Sequence, residues 1–186
     1  HHVLPKLKDT HRVFAYDFAT NKVPGTKPYE EAAYWRDVGT RDAYFNAHQD
    51  LLGEKPRFDM FNPQWRIFSS NYQGPVARLL DAQIINSVVA AGSMVRQAKI
   101  INTIIRREVI IEDDVEIEDC LIQEYVHIKR GARLRRAIIG GYNVIEAGAR
   151  IGYDLEQDRK LYEVTQGGIT VVGPREVTAT MQSFSE

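Results

Sequence analysis

The chain has 186 residues, enough for one or two domains with a sizeable core. Lys and Arg total 24 against 25 Asp and Glu, a net charge of −1, so no global field draws it to nucleic acid or to an acidic membrane. Apolar residues make up 44% and charged residues 26%, an ordinary globular balance; the single cysteine, Cys120, excludes an internal disulfide framework and fits a reducing, cytoplasmic setting; and there is no apolar run of about 18 residues and no signal-peptide core.

His1-His2 reads as a tag remnant or as native sequence. Val3-Leu4-Pro5 follows abruptly, without capping or leader signals, so the chain is expected to be a fragment or a processed product. Arg12 to Phe18 reads as a strand, and Asn21 to Pro28, with Pro24-Gly25, as a turn-rich link. Tyr34 to Thr40 leads into a predicted helix over Arg41–Leu52. Its apolar positions Ala43, Tyr44, Ala47 and Leu51 have helical spacing, and Thr40 is its N-cap. Asp37 therefore falls in the turn before a helix, with Gly39 able to bring backbone close to a ligand. A carboxylate there suits a hard cation such as Mg²⁺, which takes oxygen ligands and bridges substrate phosphates. It suits a plain turn cap equally well, and the residues alone leave both readings open.

From Ser87 the chain repeats. Segments of about 17 residues begin at Ser87, Thr103, Cys120 and Ala137, each with a small residue followed by an apolar pair. The strongest apolar positions are Val89, Val95, Ile101; Ile105, Ile111, Ile117; Ile122, Ile128, Leu134; and Ile139, Ile145, Ile151. Steps of six fit neither a helix nor a simple strand. They fit a short strand plus a corner, three to a coil, with coils stacked as parallel strands about 4.8 Å apart. Val109, Val115, Val126, Ala132 and Ala149 are expected to share the interior, and Gly131 and Gly148 to take equivalent corners.

Charge follows the same period. A shift of 17 places Glu112, Asp113, Glu116, Glu118 and Asp119 against Lys129, Arg130, Arg133, Arg135 and Arg136. Arg96, Glu112, Lys129 and Glu146 alternate in sign from coil to coil. Stacked opposite charges would oppose a one-coil slip, although each exposed pair contributes only about 0.2–1 kcal/mol. The basic run from Lys129 to Arg136, which alone would read as a phosphate or nucleic-acid patch, is thus expected to be an ion-pair ladder, and no aromatics interleave it. His127 should point outward, with no acidic orienter evident in the sequence. Cys120 occupies the small-residue column and reads as packing.

The hexad repeat resembles the left-handed parallel β-helix of sugar nucleotidyltransferases and hexapeptide acyltransferases. Tyr34-Trp35-Arg36-Asp37-Val38-Gly39-Thr40, then Asp42-Ala43-Tyr44 and Asn46-Ala47, resembles the signature of bacterial glucose-1-phosphate adenylyltransferase (ADP-glucose pyrophosphorylase). Val3-Leu4-Pro5, Asn62-Pro63-Gln64-Trp65 with Arg66-Ile67, Gly74 to Arg78, Ile151 to Asp154, Asp158 to Lys160 and Gly167 to Val172 continue the match in order. The resemblance implies a mainly β chain. Residues 1–55 would be the C-terminal end of an α/β nucleotidyltransferase domain, 56–75 an interdomain linker, and 76–186 a β-helix with a C-terminal tail. It implies adenylyl transfer from ATP to glucose 1-phosphate in glycogen synthesis, by a homotetramer under allosteric control from small molecules bound between domains. Asp37 would be the catalytic aspartate that binds Mg²⁺ with an upstream partner. Trp35, Arg36 and Gly39 would face the sugar phosphate, and Arg175 would bind an effector phosphate.

Two departures qualify that picture. A further family arginine falls on Gly141. The glycine-rich nucleotide loop, the catalytic lysines and the upstream metal aspartate do not occur in these residues, so the chain alone is expected not to catalyse the transfer. Two other functions stand as alternatives: a non-catalytic solenoid that assembles or regulates a partner, and a hexapeptide acyltransferase using His127.

Overall fold

The computed structural model describes residues 3–8, 10–68 and 72–175. Residues 69–71 of the expected linker and 176–186 of the expected tail lie outside the described residues. Most of the described chain is a parallel β-solenoid, preceded by a largely irregular segment that carries two helices, α1 (Val3–Leu7) and α2 (Arg41–Gln49).

Each coil of the solenoid has three faces. The first face stacks β1 (Arg78–Leu80), β4 (Met94–Arg96), β7 (Ile110–Ile111), β9 (His127–Ile128) and β11 (Val144–Ile145). The second stacks β2 (Gln83–Ile85), β5 (Lys99–Ile101), the first half of β8 (Glu116–Ile122), the first half of β10 (Arg133–Ile139) and β12 (Arg150–Ile151). The third runs from β3 (Val88–Val89) and β6 (Ile104–Ile105) through the second halves of β8 and β10. There α3 (Leu155–Leu161) and β13 (Glu163–Val164) interrupt the winding. Then β14 (Thr170–Val172) lays itself in parallel on Ala137–Ile139 and pairs antiparallel with β13.

The interior is the aliphatic ladder the spacing predicts. Val95, Ile105, Ile111, Ile117, Ile122, Ile128, Leu134, Ile139, Ile145 and Ile151 are all buried, as are Val109, Val115, Val126 and Ala132, while Val89 and Ala149 pack against them. One rung differs: Ile100 is fully buried and Ile101 only half so. Val95 sits on Ile111 and Ile100 on Ile117, so the first repeated coil uses one residue fewer at that corner. The six-residue step was carried one place too far there. A further coil, outside the 17-residue repeat but within the expected β-helix of 76–186, precedes Ser87. Its β1 and β2 stack on β4 and β5, with Ala82 and Ile84 against the core.

The corners turn through the left-handed backbone region. Gly131 and Gly148 have φ of +72° and +70°, and Asp81, Gln97 and Asp114 take the same corner with φ of +50°, +34° and +58°. Glycine removes the cost of that conformation, but the stack also imposes it on side-chain-bearing residues. At a second corner Asn86 donates to Asn102, which donates to Asp119.

The small-residue column is a hydrogen-bond ladder. The Ser87 hydroxyl accepts from the Thr103 N–H at 3.1 Å, and the Thr103 hydroxyl from the Cys120 N–H at 3.2 Å. Cys120 is fully buried and donates its thiol to the Glu118 carbonyl, and burial pushes that thiol up to about 12. It packs, as expected, and has no thiolate to offer.

Opposite charges do stack. Arg130 meets Asp113 at 2.8 Å, Arg133 meets Glu116 at 3.4 Å, Arg135 meets Glu118 at 3.8 Å and Lys129 meets Glu146 at 2.7 Å, each pair on adjacent coils. Three expected partners change. Arg96 pairs with Asp113 rather than Glu112, because of the shortened corner. Glu112 bonds His127 at 2.7 Å and the Arg130 N–H at 2.9 Å. Arg136 donates to the Gly167 carbonyl and leaves Asp119 to Asn102.

Candidate functional site

Residues 12–17 form no strand, and Val13, Phe14 and Tyr16 are exposed. The expected strand at Arg12–Phe18 is therefore absent. A strand is completed by a neighbour's ladder, and among the described residues none lies beside it. The helix is present but shorter than predicted. Thr40 caps it, its hydroxyl accepting from the Ala43 N–H at 3.1 Å. It closes at Gln49, because Leu51 and Leu52 make tighter bonds back to His48 and Gln49 and the chain reverses at Gly53 with φ +99°.

Asp37 lies on the exposed loop just before that cap. Its Oδ1 accepts the Gly39 N–H at 3.0 Å, which closes a small turn. A Cβ on Gly39 would stand 3.1 Å from that same oxygen, so glycine leaves the carboxylate its space. One exposed carboxylate suits Mg²⁺, which keeps several waters and takes one or two protein oxygens beside substrate phosphates. Among the described residues no group of three or more His, Cys, Asp or Glu converges as a complete metal cage.

The side chains around Asp37 divide into open and committed. Trp35 is 66% exposed. Arg36 is fully engaged: Nη2 and Nη1 reach both oxygens of Glu31 at 2.6 and 2.8 Å, and Nε reaches Asp50 at 2.8 Å. Its guanidinium also lies 4.4 Å from the Tyr34 ring centre, and Tyr34 stacks on Phe58. The Arg36 bonds hold Glu31 below the usual carboxylate range, and burial with the Asp50 charge beside it raises the Tyr34 phenol. The network fixes the loop from behind and leaves its front to Asp37 and Trp35.

Helix α2 rests on the outside of the solenoid's third face. Phe45, a residue absent from the predicted apolar face, is its most buried side chain and packs among Leu121, Ile138, Ile169 and Val171. Asp42 accepts from the Thr165 hydroxyl at 2.7 Å, Arg41 pairs with Glu163 at 2.8 Å, and Gln123 donates to the Tyr44 hydroxyl at 3.3 Å. These partners lie 79 to 123 residues apart in sequence, so no local pattern signals them.

Arg175 is exposed at the far end of β14, its N–H bonded to the Gly141 carbonyl at 3.1 Å and its charge acting on Glu146. A Cβ at Gly141 would stand 3.2 Å from the Glu124 carbonyl, so the position that departs from the arginine pattern is also tight. His127, read from the sequence as lacking an acidic orienter, has one in Glu112. That carboxylate lies one coil away, beyond the reach of a local motif.

A parallel solenoid with a hexad core, flanked by a capped helix and an exposed aspartate, defines a hexapeptide-repeat protein. The chain belongs to the family described as GlmU-like, C-terminal hexapeptide, which matches residues 77–172. Beyond that family it is similar to proteins named glucose-1-phosphate adenylyltransferase. The one from Thermodesulfovibrio yellowstonii is 48% identical over 172 residues, the one from Corynebacterium jeikeium 35% over 173, and adenylyltransferase 1 of Vibrio parahaemolyticus 37% over 175. These alignments cover 91–92% of this chain but 42% of each relative, so the chain spans less than half the length of the curated relatives it matches. Among the described residues no helix is long and apolar enough to cross a membrane.

Proposed function

We propose that this chain carries the metal-binding aspartate of an enzyme that makes ADP-glucose and pyrophosphate from ATP and glucose 1-phosphate, and that its solenoid serves regulation and oligomerisation. The observation that carries the reading is Asp37, exposed in a tight turn at the head of a capped helix, inside the Tyr34–Thr40 string. In the reaction a phosphate oxygen of glucose 1-phosphate bonds to the α-phosphorus of ATP. The bond from that phosphorus to the bridging oxygen breaks, and pyrophosphate leaves with the electron pair. Mg²⁺, when bound, neutralises the charge that gathers on the phosphates. Asp37 offers it a carboxylate oxygen, Trp35 and Gly39 line the sugar-phosphate side, and Arg36 holds the loop by its three acidic contacts. Arg175 takes the phosphate of a small-molecule effector, and copies of the chain associate into a homo-oligomer.

The test is Asp37→Asn in the complete enzyme. Mg²⁺-dependent formation of ADP-glucose should fall by about a hundredfold or more while the protein remains folded. Undiminished turnover would refute the assignment and favour a non-catalytic solenoid. The 186-residue chain by itself should form no ADP-glucose.

A further inference from the structure

We propose that the β13–β14 hairpin is a brace for the Asp37 turn, with Asp42 and Thr165 as positioning residues and not as groups that touch substrate. The proposal rests on the reading of Asp37 given above. Asp42 is the second residue of α2, and its carboxylate is claimed from two sides of one hairpin. Oδ1 accepts the Thr165 hydroxyl at 2.7 Å and Oδ2 faces the Gly167 N–H at 3.4 Å. The hairpin is itself locked. Thr165 N–H donates to the Ile169 carbonyl at 3.0 Å, Ile169 N–H returns to the Thr165 hydroxyl at 3.1 Å, and Gly168 N–H donates to the Thr165 carbonyl at 3.1 Å. Arg136, from the solenoid wall, donates to the Gly167 carbonyl at 3.0 and 3.3 Å.

The chain of contacts therefore runs from the wall through Arg136 and Gly167 to Asp42, the second residue after the cap Thr40. Thr40 in turn fixes the turn in which Gly39 bonds Asp37. Beneath it, Phe45 is seated on Ile169 and Val171 of the same hairpin. The first turn of α2 is also held by the ion pair of Arg41 with Glu163 on the hairpin and by the Tyr44 hydroxyl accepting from Gln123 on the wall. A Cβ at Gly167 would sit 2.4 Å from the Asp42 Oδ1 and would push that carboxylate off its place on the hairpin. A charge-assisted hydrogen bond is roughly twice as strong as a neutral one, so the Asp42–Thr165 contact can hold the first turn of the helix, whose start Thr40 sets, against the hairpin.

The experiment compares Thr165→Val with Thr165→Ser in the 186-residue chain by amide hydrogen exchange, without metal or substrate. Thr165→Val should speed exchange at Gly39, Ala43 and Tyr44 by about tenfold, leave β8 and β10 unchanged, and be rescued by Thr165→Ser. Gly167→Ala, which drives a methyl group into Asp42 while keeping the hydroxyl, should reproduce the effect. In the complete enzyme both damaging variants should raise the half-saturating Mg²⁺ concentration with little change in kcat. Unchanged exchange at Ala43 and Tyr44, or faster exchange spread over β8 and β10 as well, would overturn the brace. Local exchange as predicted, in an enzyme where Asp37→Asn keeps full Mg²⁺-dependent activity, would support the brace and refute the metal assignment instead.

Discussion

In the solenoid Val95, Ile111, Ile128 and Ile145 stack with 4% exposure or less, whereas between residues 12 and 18 Val13, Phe14 and Tyr16 are each more than half exposed. Both stretches are rich in strand-forming residues. The difference lies in where the partner is. In the solenoid each rung's neighbour is the same position one period away, so the repeat supplies its own ladder and its own core. The segment at 12–18 has a pattern that is compatible with a sheet but no ladder of its own. Helix α2 stands between the two cases. Its start is local, set by Thr40, but its seat is the solenoid wall under Phe45.

The largest expected effect is chemical. Cys120 is fully buried and its thiol is pushed up by that burial, so it should react with thiol reagents orders of magnitude more slowly than a thiol in the unfolded chain. Its labelling therefore reports on opening of the solenoid, and rapid labelling of the native protein would show that the wall is loose. Next in size is truncation. Ile117→Ala should cost about 2–5 kcal/mol in denaturant unfolding, against about 0.5 kcal/mol or less for Phe14→Ala. Equal losses would erase the contrast between the two regions. The shortened corner gives a finer version within the solenoid. Ile100→Ala should cost about 2–4 kcal/mol and Ile101→Ala about 1 kcal/mol, and the reverse order would restore the six-residue step.

The smallest effect is electrostatic. The Arg130 backbone N–H holds the Glu112 carboxyl below its usual range. Partial burial opposes this, and His127 adds a second lowering bond. A depressed carboxylate contributes stability above its ordinary range and loses it as pH falls through the folded value. The melting temperature should therefore decline on acidification below about pH 4.5, and the decline should be shallower in Glu112→Gln. An identical pH profile for the variant would remove Glu112 from the register-setting pairs.

The same logic explains what was legible in the sequence. Ile105 through Ile151 could be placed because each repeats at a fixed step, and Lys129–Glu146 because stacking adds a fixed number. The offset at Ile100 was hidden because a coil shortened by one residue leaves the neighbouring apolar residue Ile101 equally plausible. Thr40 was readable because a cap acts over three residues. Phe45, the Asp42–Thr165 bond and the pairing of His127 with Glu112 were not, since each depends on chain brought back from elsewhere, 15 residues away for Glu112 and 123 for Thr165. Asp37 was found through its motif and not through geometry, and Arg36 was assigned to substrate where its guanidinium is already committed to Glu31 and Asp50.

Whether Asp37 holds a metal ion decides the proposed function. The most direct measurement is Mn²⁺ binding, with Mn²⁺ standing in for Mg²⁺, followed by electron paramagnetic resonance in the complete enzyme with ATP bound, comparing the unmodified protein with Asp37→Asn. Asp37→Asn should weaken Mn²⁺ binding by about tenfold or more and alter the spectrum of the bound ion, with unfolding unchanged. Equal affinity and an identical spectrum would contradict the account.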